Sequence, residues 1–328
     1  MTPRIVLVPL CICLGAVQQA AADETNWAQC ATKFDKKERL ACYDQLASGK
    51  KESRSYLTAA WDLDGQGSLD IEGVRRLEPY RKNYVLINHG SSINAQPSSP
   101  APNHTVATPY NYQTTETKFQ FSFKAEVGNT RDFDFLSFTN FRIWAGYTQQ
   151  SYWQMFNSAE SSPFREANYE PELIGTLGTN GTTSWKLLNV GLVHQSNGQS
   201  NPQSRSWNRL YLQGGWEWDD VYVLGRGWWR IPENSHTDDN PDIANYLGRG
   251  DLLIHWSPDQ DDEVMLLLRS NLNTSNHKGY FQLDWSTPVR IWHLSKLSFQ
   301  LSSGYGDSLI DYNHNQTTFG IGFTFKEW

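Results

Sequence analysis

Two-residue alternation of apolar and polar side chains, carried through both arms of a hairpin, restricts a chain to a sheet whose two faces meet different media. Between Lys186 and Trp218 the even positions of the first arm are Leu188, Val190, Leu192, His194 and Ser196, and the odd ones are Leu187, Asn189, Gly191, Val193 and Gln195. In the second arm the even row is Asn208, Leu210, Leu212, Gly214, Trp216 and Trp218, while Arg209, Tyr211, Gln213 and Glu217 make up the polar odd row. An apolar row facing lipid and a polar row facing a lumen is the pattern of a membrane-barrel strand. Three groups on the apolar row, His194, Ser196 and Asn208, are ones that hydrocarbon excludes. A turn centred on Asn201 sets His194 opposite Asn208, with Cβ atoms roughly 5 Å apart, and Ser196 about 6.8 Å from His194 along the same face. A hydrogen-bonded Ser-His-Asn chain is within reach, which points to nucleophilic catalysis.

The same alternation recurs beyond the hairpin. Strand-like segments with turn signals between them fall near 82–91, 117–127, 137–153, 169–180, 184–196, 206–217, 219–231, 246–257, 262–272, 278–287, 294–304 and 316–328. An even count lets the first and last strands pair antiparallel and leaves no unsatisfied edge in a bilayer. The expected fold is all-β, a twelve-stranded antiparallel transmembrane β-barrel with a small N-terminal helical extension. Fourteen Trp and an aromatic content of 13% suit girdles at two membrane interfaces. No segment after the N-terminus approaches the ~20 apolar residues of a membrane helix.

Residues 1–22 read as a secretory signal: Arg4, an apolar run from Ile5 to Val17, and Ala20-Ala21-Ala22 before Asp23. Residues 23–79 form an expected periplasmic extension, and 80–328 the barrel. Export leaves Cys30 and Cys42 in an oxidising compartment, where a disulfide is expected. A net charge of −7 without a basic run argues against nucleic acid as a partner. The stretch from Asp62 to Asp70 faintly resembles a calcium loop, but Gly73 stands where the twelfth, acidic ligand belongs, so a solvated turn is the better reading. Glu166 and Glu170 are expected to bridge Arg165 or loop arginines rather than act as an acid-base pair. Thr237-Asp238-Asp239-Asn240-Pro241-Asp242 has the composition of a cation site and reads better as a turn.

Four blocks give the chain a family resemblance: 193–211 (from Val193-His194-Gln195-Ser196-Asn197-Gly198 to Arg209-Leu210-Tyr211), Tyr147 to Gln154, Ser161 to Pro171, and Gly304 to Asn313. Together, in order, they resemble outer membrane phospholipase A over roughly residues 80–328. The segment 23–79 departs from the compact members.

The resemblance implies a bacterial outer-membrane enzyme that hydrolyses fatty-acyl esters of membrane phospholipids and lysophospholipids, with Ser196 as nucleophile, His194 as base and then acid, and Asn208 orienting the imidazole. It also implies Ca2+ as cofactor. Its ligands would be the Ser204 hydroxyl, the main-chain carbonyl of Gln199, where family members can carry arginine, and the Ser161 hydroxyl of a second subunit. The Gly198 amide would hold the oxyanion. The active state would be a homodimer with Gln149 at its interface, on the outward row Phe141, Ile143, Ala145, Tyr147, Gln149, Ser151 and Trp153. A different class of function, a passive pore or structural barrel, would leave the polar exterior groups merely touching lipid headgroups.

Overall fold

The computed structural model describes residues 30–49, 54–65, 77–130, 138–179, 183–259, 261–289 and 295–325; the expected signal peptide lies outside them. The chain divides into two units, Met1–Arg54 and Ser55–Trp328. In the first, Asp35 Oδ1 accepts the amide hydrogens of Lys37 (2.8 Å) and Glu38 (2.9 Å) and so caps the helix Lys36–Gly49. A disulfide joins Cys30 to Cys42.

The second unit is a closed wall. Its strands are β1 (Leu77–Pro79), β2 (Tyr84–Gly90), β3 (Thr115–Thr130), β4 (Phe138–Trp153), β5 (Phe164–Thr179), β6 (Trp185–Ser196), β7 (Ser206–Trp218), β8 (Val221–Ile231), β9 (Gly250–Trp256), β10 (Glu263–Ser270), β11 (Gly279–Pro288), β12 (Ser295–Tyr305) and β13 (Asn315–Phe325). Each pairs antiparallel with its sequence neighbours from β2 to β13, and β13 pairs with β2 to close the ring. The short β1 lies on β3 just beyond the end of β2, so the two share one position in the wall, interrupted at residues 80–83. Twelve wall positions result, as the alternation predicts. Closure gives each strand from β2 to β13 a neighbour on both sides, the condition for crossing hydrocarbon without a free edge.

Side chains sort as their parity requires. Leu173, Val190, Leu192, Leu210, Leu212, Trp229, Phe281, Leu283, Leu301, Phe319 and Ile321 are exposed on the outside. Inside, buried charges meet across the lumen. Arg81 bridges Glu170 (2.7 Å) and Glu172, Arg209 lies 3.6 Å from Glu170, and Tyr211 Oη donates to Glu172 (3.1 Å). Lys118 on β3 reaches Gln300 on β12 (3.0 Å) and Asp307 (2.8 Å), and Tyr280 Oη donates to Asp307 (2.9 Å). Long side chains therefore fill the bore, where a pore would hold water.

The expected bridge between Glu166 and Arg165 is not made. Between Tyr152 and Trp153 the register with β5 shifts, which leaves Arg165 as the extra residue of a bulge and turns both it and Glu166 inward. Arg165 instead grips Glu116 through two nitrogens (2.9 and 2.7 Å) and Asp311 (2.7 Å). Glu170 does bridge arginines, Arg81 and Arg209.

The segment expected to lie wholly in the extension, 23–79, is divided between the units. Residues from Ser55 belong with the barrel, because a short helix, Tyr56–Ala60, docks against the inner face of the wall. Glu217 of β7 accepts the amide hydrogens of Tyr56 (2.5 Å) and Leu57 (3.0 Å), the donors that a helix start leaves open. Leu57, Trp61 and Leu63 are buried with Trp144, Ile174 and Leu187, and Lys124 Nζ sits over the Trp61 and Trp144 rings at 4.4 and 4.3 Å. The approach is close enough that a Cβ on Gly178 would come within 3.2 Å of the Leu63 Cβ. Asp62, from the stretch with a faint calcium-loop look, pairs with Arg142 (2.8 Å); residues 66–70 lie outside the described residues.

Glu217→Ala removes a charged acceptor from two helix-start amides, that of Leu57 buried, so it is expected to lower unfolding stability by about 2 kcal/mol. Urea unfolding in detergent micelles reads this, and an unchanged midpoint would show that the docked helix does not depend on the carboxylate.

Candidate active site

The β6–β7 hairpin sets the geometry. Its register pairs His194 with Asn208 and Ser196 with Ser206, the pairing that a turn centred on Asn201 requires. His194 is exposed on the outward row just beyond Leu192, and Asn208 is half-buried on the same row beside Leu210. Their side chains meet, with His194 Nδ1 2.9 Å from Asn208 Oδ1. On its other side the Asn208 amide donates Nδ2–H to Glu233 Oε1 (3.3 Å). A carboxylate can only accept, so this contact orients the amide: nitrogen toward Glu233, oxygen toward His194. The imidazole then carries its proton on Nδ1 and keeps the Nε2 lone pair for a proton from elsewhere. Ser196 is two residues along the same face, and its hydroxyl makes no hydrogen bond to His194 among the described residues.

Pro171 occupies a special place in this arrangement. β5 pairs with β6 at Tyr169↔Ser196 and again at Glu172↔Val193, so Pro171 falls opposite His194 where the ladder lapses. Proline has no N–H to give, which accounts for the gap.

The loop after Ser196 is held from within. Asn197 is buried; its Oδ1 accepts from the amides of Gln199 (3.3 Å) and Arg205 (3.0 Å), and its Nδ2 donates to the Gln203 carbonyl (2.8 Å) and to Glu166 Oε2 (3.2 Å). Gly198 is left-handed, φ +63°, and a Cβ there would stand 3.2 Å from the Tyr169 ring, so glycine is required on both counts. Buried Arg205 donates to the carbonyls of Pro202 (3.2 Å), Ser204 (2.7 Å) and His104 (3.2 Å).

The cluster 237–242 anchors the surrounding loops. Asp239 accepts from Ser204 Oγ (2.6 Å), contacts His104 Nε2 (2.9 Å), and its carbonyl accepts from Ser99 Oγ (2.6 Å). Asn240 Oδ1 accepts the Ser206 amide hydrogen (2.9 Å), Asp238 pairs with Arg230 (2.6 Å), and Tyr312 Oη donates to Asp242 (2.6 Å). The run expected to be a solvated turn does turn, but it is bonded to its neighbours as a clamp that fixes the loop carrying Gln199 and Ser204.

Ser161 lies in the β4–β5 loop at the same end of the barrel, exposed and left-handed (φ +61°) after a single 3-10 turn. Gln149 sits on the outward row of β4. It accepts from Tyr147 Oη (3.1 Å) and donates to Ser151 Oγ (3.2 Å), so this amide finds partners within its own strand. Among the described residues no group of three His, Cys, Asp or Glu side chains is placed to hold a metal. The sequence places Asn197 and Arg205 in the 193–211 block and Asp239 in the 237–242 run without giving them a role; Glu233, a carboxylate two residues past Ile231 on an outward row, it does not single out at all.

Comparison with known proteins places this architecture. The family model for phospholipase A1 matches residues 57–325. A putative phospholipase A1 of Neisseria meningitidis serogroup B is 36% identical over an alignment of 373 positions, covering 95% of this chain and 94% of that protein. The phospholipase A1 of Escherichia coli K12 is 37% identical over 249 residues, covering 75% of this chain and 80% of that protein. Among solved structures, outer membrane phospholipase A from E. coli matches with a TM-score of 0.65 at 34% identity, covering 76% of this chain and 94% of that one. The Salmonella typhi outer membrane phospholipase, a dimer with bound calcium, gives 0.64 at 34% identity over 79% and 95%. An E. coli variant in which an active-site asparagine is alanine gives 0.68 at 31% identity over 83% and 99%. The chain belongs to the phospholipase A1 family and is a phospholipase built on a twelve-stranded barrel of the outer membrane.

Proposed function

We propose that this phospholipase is a calcium-dependent serine hydrolase, activated by dimerisation, that works on lipid from outside the barrel wall. The observation that carries the reading is the His194 Nδ1 to Asn208 Oδ1 contact on the lipid-facing row, 2.9 Å long and oriented by a carboxylate behind the amide. A phospholipid can present an ester at that row without entering the filled lumen. The end at which the site lies carries the long connections, 91–114 and 232–249, whereas β7 and β8 are joined at the other end by two residues, 219–220. Long loops belong to the external side of such barrels, so the substrate comes from the outer leaflet.

His194 Nε2 takes the proton of the Ser196 hydroxyl as Oγ attacks the acyl carbonyl carbon. The imidazolium then gives that proton to the departing glycerol oxygen, leaving a lysophospholipid and an acyl ester on Ser196. Water, deprotonated by the same imidazole, releases the fatty acid and restores the hydroxyl. Lysophospholipids present the same ester and follow the same route. Asn208 fixes the ring but brings no negative charge, so charge on the carbonyl oxygen has to be met by donors placed beforehand. The Gly198 amide is one such donor, held by a backbone conformation that only glycine adopts freely.

Hydroxyl and carbonyl oxygens are hard ligands suited to calcium. Ser204 Oγ and the Gln199 carbonyl belong to one clamped loop, and the Asp239 carboxylate adds negative potential beside that hydroxyl. These two residues, with Ser161 from a second copy, would hold the ion, and when bound it would add positive charge near the developing oxyanion. Gln149 bears on the dimer. Its bonds to Tyr147 and Ser151 use one donor and one lone pair, leaving one of each for a two-fold related copy in the bilayer, where an unmet amide is costly.

Ser196→Ala should cut ester hydrolysis by detergent-folded protein on the order of 10⁴-fold or more, and Asn208→Ala on the order of 10²-fold, since base and nucleophile remain but orientation is lost. Equal loss in both would mean the roles are misassigned. Chelation of calcium should suppress turnover of wild type and readdition restore it; turnover indifferent to chelator would remove the cation while leaving the Ser-His pair standing. Gln149→Ala should weaken chemical crosslinking of two copies together with calcium-dependent activity, and an undiminished dimer yield would discard that interface.

A further inference from the structure

The contact behind Asn208 extends the catalytic row by one residue. On β8 the outward positions Trp229 and Ile231 are exposed, and Ile231 stands opposite Asn208 in register. Glu233 follows on the same parity, after Pro232 has ended the strand. A carboxylate at the end of a lipid-facing row is as anomalous as His194 or Ser196. It is half-buried and its Oε1 accepts Asn208 Nδ2–H at 3.3 Å.

Resting on the catalytic roles proposed above, we infer that Glu233 is a positioning residue of this hydrolase, locking the Asn208 amide with its oxygen toward His194 and supplying, through that amide, the negative charge that an asparagine lacks. Without an acceptor at its nitrogen the amide can rotate by half a turn and present N–H to the imidazole, the wrong partner for a ring that must keep its proton on Nδ1.

The charges around Glu233 fit this role. Arg230 on β8 is the nearby cation, but it is engaged by Asp238 (2.6 Å) and by the Pro241 carbonyl (3.0 Å). Asp238 and Asp239 face Glu233 from the loop, Asn208 from β7, and His194 lies beyond the amide on β6. Burial raises the Glu233 pKa above the usual carboxylate range, Arg230 and the Asn208 amide oppose this, and Asp238 and Asp239 add to it. The negative charge that Arg230 leaves uncompensated points along Asn208 toward the ring that becomes imidazolium in the transition state.

The test compares wild type, Glu233→Gln, Glu233→Ala, Asn208→Ala, the Glu233→Ala/Asn208→Ala double variant and Ser196→Ala. All are detergent-folded with calcium, checked for the folded barrel by unheated gel mobility, and assayed on phospholipid micelles across pH. Glu233→Gln keeps an acceptor oxygen but loses the charge. The His194 ring becomes cationic in the transition state, so losing that charge should fall on kcat rather than on substrate binding. The plateau kcat should fall about three- to tenfold, with KM held within about twofold. Glu233→Ala should lose more, and in the Asn208→Ala background it should cost nothing further, since both act through one amide. A merely structural loop contact would not separate kcat from KM in this way. An unchanged kcat in Glu233→Gln, or losses that multiply in the double variant, overturns the inference while Ser196→Ala stays inactive; an active Ser196→Ala overturns it together with the catalytic assignment beneath it.

Discussion

Strand pairing that closes on itself around the wall, from β2 to β13 and back to β2, is the constraint from which the other features follow. In hydrocarbon a free strand edge is prohibitive, so the ring has to close. Once it has closed, each side chain has only two destinations, and residue parity decides between them. Leu192 and Leu210 go to lipid; Asn189 and Arg209 go to the bore. A polar group on the outward row is therefore anomalous by construction, and His194, Ser196, Asn208 and Glu233 gather where such anomalies end at a loop.

The interior has the complementary problem. Lys118, Arg165, Glu170, Glu172 and Asp307 are charged and withdrawn from bulk water, which is tolerable because each has an opposite charge beside it. Such a network adds less to stability than its number of ion pairs suggests, but it is unforgiving of a missing partner. It also gives the wall a rigid backing. The hairpin that carries the site is tied to it through Asn197 and Glu166 (3.2 Å) on one side and through Arg209 and Glu170 (3.6 Å) on the other, so a reactive row exposed to fluid lipid keeps a defined geometry.

Alternation made much of this readable before any coordinates. The period of two placed Leu192, His194 and Ser196 on one face, and the turn centre at Asn201 fixed His194 against Asn208; both are local rules, so sequence suffices. What stayed hidden depends on partners distant along the chain. The short helix at Tyr56 has no period to betray it and is held by Glu217 on β7, far off in sequence. Asp239 reaches Ser204 and His104 from a different loop, which no spacing within the Thr237–Asp242 run reveals. Glu166 and Arg165 look like a natural pair until one bulged residue sends them to different partners. The place of Pro171 across from His194 shows only once the β5–β6 register is known.

The docked segment from Ser55 to Leu63 has a bearing on how the molecule comes to be. It precedes the first strand in the chain, yet it packs against the inner surface of a ring sealed by joining the first long strand to the last. A finished ring offers no seam through which Trp61 and Leu57 could slip sideways. The leading residues must already be tucked against the growing curve when the seam is made, or enter afterwards through an open end. In the first case the cylinder is rolled around its own beginning, which then serves as a mandrel for the curvature that the later strands complete.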